Sequence, residues 1–178
     1  MQRYQPRKRI AIAAACSVVL LGITVRSAIS TTIGIGTMDH SDIVGGPATV
    51  TMRTLEFTPG EISAWHYHTG LGALNVVTQG TLIIEDGCGG ETTYGPGDAF
   101  LEAPGRVHRG RNADDVDKVI VAQTFLVPAG DGLAVITGQL CGVPAAVQEC
   151  RQGGWTTFNQ PREFVSQGDC EQFVITGK

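Results

Sequence analysis

His66 and His68 are separated by a single residue, and His108 follows later in a chain that holds four histidines in all. Neutral imidazole is a common ligand for zinc, iron, nickel and copper. The stretch Gly60-Glu61-Ile62-Ser63-Ala64-Trp65-His66-Tyr67-His68 lies between Pro59-Gly60 and Gly70/Gly72. It reads as a strand in which Ile62, Ala64, His66 and His68 share one face, because side chains two apart point the same way. Two imidazoles so placed can chelate one ion, and His108 is the third donor. The expectation is that the three Nε2 atoms converge within one ion's reach, ~2.0–2.1 Å from a zinc. The competing expectation is a set of buried, hydrogen-bonded histidines without an ion. His40, in Met38-Asp39-His40-Ser41-Asp42, reads as a solvated loop residue.

The elements that must position these residues are short. Strand-like runs cover 48–57, 61–68, 73–78, 81–85, 91–94, 99–102, 107–111 and 118–125, punctuated by glycine, proline and aspartate. Many short strands and few aromatics point to an all-β double-sheet barrel, whose alternate side chains converge inside from different strands. No repeat and no nucleotide-binding loop appears.

The spacings within this frame carry a resemblance. Gly60, His66-X-His68, position 73 and Gly80 resemble the first motif of the cupin superfamily, and Gly105-X-X-His108-X-X-X-Asn112 resembles the second. Two positions depart from it. Ala73 stands where the first motif has glutamate, and Ala103 where the second has proline, with Pro104 one place later. The resemblance covers about residues 51–125 and implies a double-stranded β-helix, or jelly roll, with a divalent ion (zinc, iron, nickel or copper) on His66, His68 and His108. It does not imply one reaction, since the superfamily hosts oxygenases, isomerases, decarboxylases, storage proteins and sugar-sensing regulators.

Three neutral imidazoles leave a dication's charge uncompensated, which favours water, hydroxide or an anionic small molecule as a further ligand. Ala73 is expected to line the pocket beside a gap where a carboxylate would sit, so that Ala73→Glu would tighten metal binding. Asn75 shares the face of Ala73 and is a candidate to present its amide to the ion or substrate. Glu102 shares a face with Phe100. It is a candidate acid/base or a replacement carboxylate if it points inward, but a rim carboxylate paired with Arg106 or Arg109 is the expected arrangement. Trp65 and Tyr67 should face away from the histidines, and Asn112 should be structural.

Charge and cysteines bear on compartment. Residues 1–30 hold five of the thirteen basic residues and no acid, leaving eight basic against seventeen acidic residues in the remainder. An acidic body offers no footprint for nucleic acid. Arg7-Lys8-Arg9, the uncharged run 10–25 and Arg26-Ser27-Ala28-Ile29-Ser30 read as a signal peptide or N-terminal membrane anchor over 1–30, giving a secreted or membrane-anchored protein. Residues 31–50 read as a linker or arm, 51–127 as the barrel, and 128–178 as an extension. The extension's Cys150-Arg151-Gln152-Gly153-Gly154-Trp155 stretch resembles a small C-terminal module of exported actinobacterial proteins. Outside the first segment, Cys88, Cys141, Cys150 and Cys170 are expected to pair as Cys150–Cys170 and Cys88–Cys141. Two functions stay open on this reading: a metal centre catalysing an oxygenase-like small-molecule reaction, and a non-catalytic ligand-binding barrel without metal. Homo-oligomerisation is open in both.

Overall fold

The computed structural model describes residues 28–178; the segment expected to target the chain lies almost wholly outside them. Two five-stranded antiparallel sheets face each other. The first has the order β1-β2-β9-β4-β7, built from Ile29–Ser41, Gly46–Phe57, Val119–Pro128, Ala73–Gln79 and Ala99–Glu102. The second has the order β10-β3-β8-β5-β6, built from Val135–Ile136, His66–Tyr67, His108–Asn112, Leu82–Asp86 and Glu91–Tyr94. This is the jelly roll expected from the run of short strands.

Alternation explains the core. On β9 the positions Val119, Val121, Gln123, Phe125 and Val127 are buried. Phe57, Val77 and Leu82 pack with Val119 and Val121 between the sheets. Outward positions of the first sheet, such as Met52, Leu74 and Leu101, stay exposed. Burying a side chain of that size contributes about 1.5–3 kcal/mol each, so the barrel's stability rests on the inward set. Gln123 is the polar exception on β9, and it sits near the histidines.

Three regions differ from the expectation. Residues 31–50 are not a free linker: most lie in β1 and β2, which pair along their length from Ile29↔Glu56 to Ser41↔Gly46. Ladder hydrogen bonds between β1 and β2 hold the backbone extended there. The run 61–68 is regular only at His66–Tyr67, with an isolated bridge from Ile62 to Arg111. The extension supplies a strand beyond the expected end of the barrel at 127, since β10 pairs with β3 through Val135↔Tyr67 and Ile136↔His66.

The rest of the extension forms two short 3-10 turns and one helix, α1, Gln167–Thr176. Ser166 caps α1 by accepting from the Asp169 backbone N–H. Cys141, Cys150, Phe158, Phe164 and Cys170 form a small satellite core, with Trp155 packed against it. Both expected disulfides are present, Cys88–Cys141 and Cys150–Cys170. Among the described residues, no helix is long and apolar enough to cross a membrane.

Candidate metal centre

His66 on β3 lies directly opposite His108, the first residue of β8. His68 follows β3 on the same face as His66. The three rings have centroid separations of 4.5–5.1 Å, and a ligand atom from each lies within 4.8 Å of the others. His68 and His108 are buried.

The other nitrogen of each ring is tied down. His66 Nδ1 donates to the Ala64 carbonyl at 2.9 Å, His68 Nδ1 to the Leu133 carbonyl at 2.6 Å, and His108 Nδ1 to the Arg106 carbonyl at 3.0 Å. A carbonyl oxygen only accepts, so each Nδ1 carries the proton, and in the neutral ring Nε2 keeps its lone pair. This arrangement orients imidazoles around metal ions and raises their basicity as ligands. Nε2 of His108 is buried and makes no hydrogen bond. The donor set therefore fits a divalent transition ion.

Glu102 points inward from the end of β7, contrary to the expected rim position. Its Oε2 lies 3.1 Å from His68 Nε2 and its Oε1 lies 3.3 Å from His108 Nε2, with the side chain 8% exposed. The expected partners are engaged elsewhere: Arg106 with Glu149, Asp86 and the Val143 carbonyl, and Arg109 with Glu85. Burial opposes ionisation of Glu102, but His108 and His68 beside it outweigh that and hold its pKa well below the usual carboxylate range. For His108, burial disfavours the cation, yet the Glu102 carboxylate outweighs it and raises the pKa. Burial first, and then the charge of His108, push His66 down to about 4.

Ala73 is fully buried, opposite Glu102 on one side and Phe125 on the other. The gap expected beside it is thus faced by a carboxylate from the next strand. Asn75 does not reach the histidines. Its Nδ2 donates to the Ala73 carbonyl at 2.8 Å, and its Oδ1 accepts from Gln123 Nε2 at 2.7 Å. Gln123 Oε1 in turn accepts from Arg53 Nε at 2.8 Å. This ladder holds the Arg53 guanidinium over the Phe125 ring, 4.8 Å from its centroid. Burial lowers the Arg53 pKa, with Glu102 opposing the shift. A cavity of about 30 Å³ adjoins His66, Glu102, Arg53 and Gln123, closed by apolar residues such as Phe57 and Val121. That is room enough to admit a water molecule.

The remaining candidates behave as supports. Asn112 pins the loop after β8, with Nδ2 donating to the Asp117 carbonyl at 2.8 Å and Oδ1 accepting from Asp114 N–H at 3.0 Å. The Arg109 guanidinium lies 4.5 Å from the centre of the Trp65 ring, away from the histidines. His40 is exposed beside Asp42, though on β1 rather than in a loop. Arg53 and Gln123 were not singled out in the sequence. A charged residue in phase with Leu55 and Phe57, and an amide in phase with Val121 and Phe125, were the available signal.

A search of curated proteins finds no match. Among solved structures, a cupin domain protein from Bordetella pertussis Tohama I is 20% identical, covering 59% of this chain and 98% of that one, with a TM-score of 0.44. A protein from Klebsiella pneumoniae subsp. pneumoniae MGH 78578 with a double-stranded β-helix domain is 19% identical, covering 62% and 85%, at 0.46. Oxalate oxidase in complex with glycolate is 18% identical, covering 49% and 46%, at 0.41. The family model described as the cupin domain matches residues 53–132, a span that contains His66, His68, Glu102 and His108.

Proposed function

We propose that this chain is an extracytoplasmic cupin-domain protein that binds a divalent transition metal through Nε2 of His66, His68 and His108. The observation that carries the reading is the set of three Nδ1–H groups, each committed to a backbone carbonyl. It leaves three lone pairs facing one region of a buried pocket. Zinc, iron, nickel and copper all suit imidazole donors. When bound, such an ion supplies Lewis acidity, and in the redox-active cases electron transfer, to a small molecule. Arg53 is the cationic side chain lining this pocket, which supports an anionic ligand. Export is supported by the basic and apolar order of residues 1–30 and by two disulfides, which persist in oxidising compartments.

A second reading, a ligand-binding barrel without metal, is favoured by one feature. Glu102 can be satisfied by protons on His68 and His108 in place of an ion. Metal analysis of the purified native protein, with His108→Ala alongside, separates the two. Stoichiometric metal in the parent and none in the variant supports the metal centre. A folded parent that neither retains nor rebinds Zn(II), Fe(II), Ni(II) or Cu(II) sinks it.

A further inference from the structure

We infer that Glu102 is a fourth protein ligand, delivering from β7 the carboxylate that Ala73 cannot deliver from β4; this rests on the three-histidine metal reading above. The first reason is a conflict of lone pairs. With Nδ1–H of His68 and His108 donating to carbonyls, both Nε2 atoms are acceptors, and Glu102 sets Oε2 3.1 Å from that of His68 and Oε1 3.3 Å from that of His108. Acceptors at that range repel unless a cation or proton lies between them. Neighbouring ligands each ~2.1 Å from one ion lie about 3.0 Å apart at a right angle and about 3.4 Å apart at a tetrahedral angle. Oε2 with His68 and Oε1 with His108 each fall in that interval, as they would for a carboxylate that holds the ion through both oxygens.

The second reason is register. Ala73 and Glu102 are direct partners across the β4–β7 ladder, so their side chains leave the same face of the sheet. Residues so opposed have Cβ atoms about 4.5–5.5 Å apart, a span that a glutamate side chain covers. Either strand can therefore bring a carboxylate to the same point.

The third reason is charge. A dication held by neutral imidazoles would face the guanidinium of Arg53 across a small, mostly apolar cavity. Buried charges require pairing. Glu102 lowers the net charge of the centre by one and stands where it can screen the ion from Arg53. The structure thus keeps a three-imidazole, one-carboxylate donor set in a chain whose motif position carries alanine.

The test is metal affinity and infrared spectroscopy on the full exported protein, using Zn(II) alone and a competing chelator. Glu102→Gln and Glu102→Ala should each weaken Zn(II) binding by roughly 100-fold or more, since loss of a group one shell further out already costs about 10–100-fold. The double variant Glu102→Ala/Ala73→Glu should recover much of that loss. Addition of Zn(II) to the parent should also shift a carboxylate stretching band, a readout that needs no variant. Parent-like affinity in both single variants, or no carboxylate band change in a parent that binds Zn(II), would overturn the inference while leaving the three histidines intact. A parent that binds no metal refutes the underlying metal reading instead.

Discussion

Gly72 lies against the backbone of Glu102 so closely that a Cβ on Gly72 would sit 2.1 Å from the Glu102 carbonyl oxygen. Its φ of +85° is also one that side-chain-bearing residues rarely adopt. Gly72→Ala must displace the end of β7, and with it the carboxylate. The expected outcome is a loss of roughly 1–3 kcal/mol in stability together with weaker Zn(II) binding. Chemical denaturation and chelator competition on the same preparation measure both, and an alanine variant with unchanged affinity would count against Glu102 being held in place by this contact.

Ala73→Glu alone should not tighten metal binding. It would set a second carboxylate beside Glu102 on the neighbouring strand, in a site already buried, where like charges destabilise. Reduced melting temperature with no gain in Zn(II) affinity is expected. A clear gain in affinity would mean that Glu102 is not occupying that position.

Asn75→Ala should cost about 1–3 kcal/mol, because it removes the acceptor for buried Gln123 and leaves an amide unpaired. Zn(II) affinity should stay at the parent level. Affinity loss comparable to Glu102→Gln would return Asn75 to the group of residues that touch the ion.

Three shifted groups should give the metal-free protein a pH optimum. His66 is lowered to about 4, so between that value and the ordinary imidazole value the unfolded chain takes up a proton the folded chain refuses, and stability rises with pH. His108 is raised; its contribution is complete below the ordinary imidazole pKa and is lost as pH climbs through its folded value. Glu102 is lowered, and its contribution is lost only as pH falls below the ordinary carboxylate range. Melting temperature should therefore peak near the imidazole pKa, ~6.5, and decline toward alkaline pH. Zn(II) should reverse the alkaline decline, because bound metal replaces the proton. A stripped protein whose melting temperature climbs steadily through pH ~8 would contradict the assigned directions.

Replacing Cys150 and Cys170 together by serine should cost about 3 kcal/mol, the loop-closure contribution expected for their separation of 20 residues. Zn(II) binding should be unaffected, since this bridge closes the satellite core rather than the barrel. Thiol labelling of the native protein without reductant should find no reactive cysteine among Cys88, Cys141, Cys150 and Cys170.

Much of the site could be read from the sequence because its geometry is local. The spacing of His66 and His68 sets both rings on one face, and the spacings around His108 resemble a known motif. The inward turn of Glu102 was harder to read, since a carboxylate at a strand end beside two arginines normally faces water. Its alternation with Phe100, which packs on the apolar core, was the contrary signal. Residues 31–50 misled for a different reason. Strand β1 has almost no buried residue, so it carries no alternation, and only pairing with β2 defines it. Helix α1 was missed because a disulfide and a cap support it rather than an apolar stripe, although Ser166-x-x-Asp169 is a capping pattern.

The three carbonyls that lock the imidazoles are not equal in chain order. Those for His66 and His108 come from two residues upstream, Ala64 and Arg106, and can form as soon as each turn does. The one for His68 comes from Leu133, 65 residues downstream and beyond the last long strand of the barrel. Contacts of such separation form after the loop between them has closed. A chain cut before Leu133 would therefore keep the acceptors of His66 and His108 and lose that of His68, so the orientation of one imidazole depends on the extension rather than on the barrel strands alone.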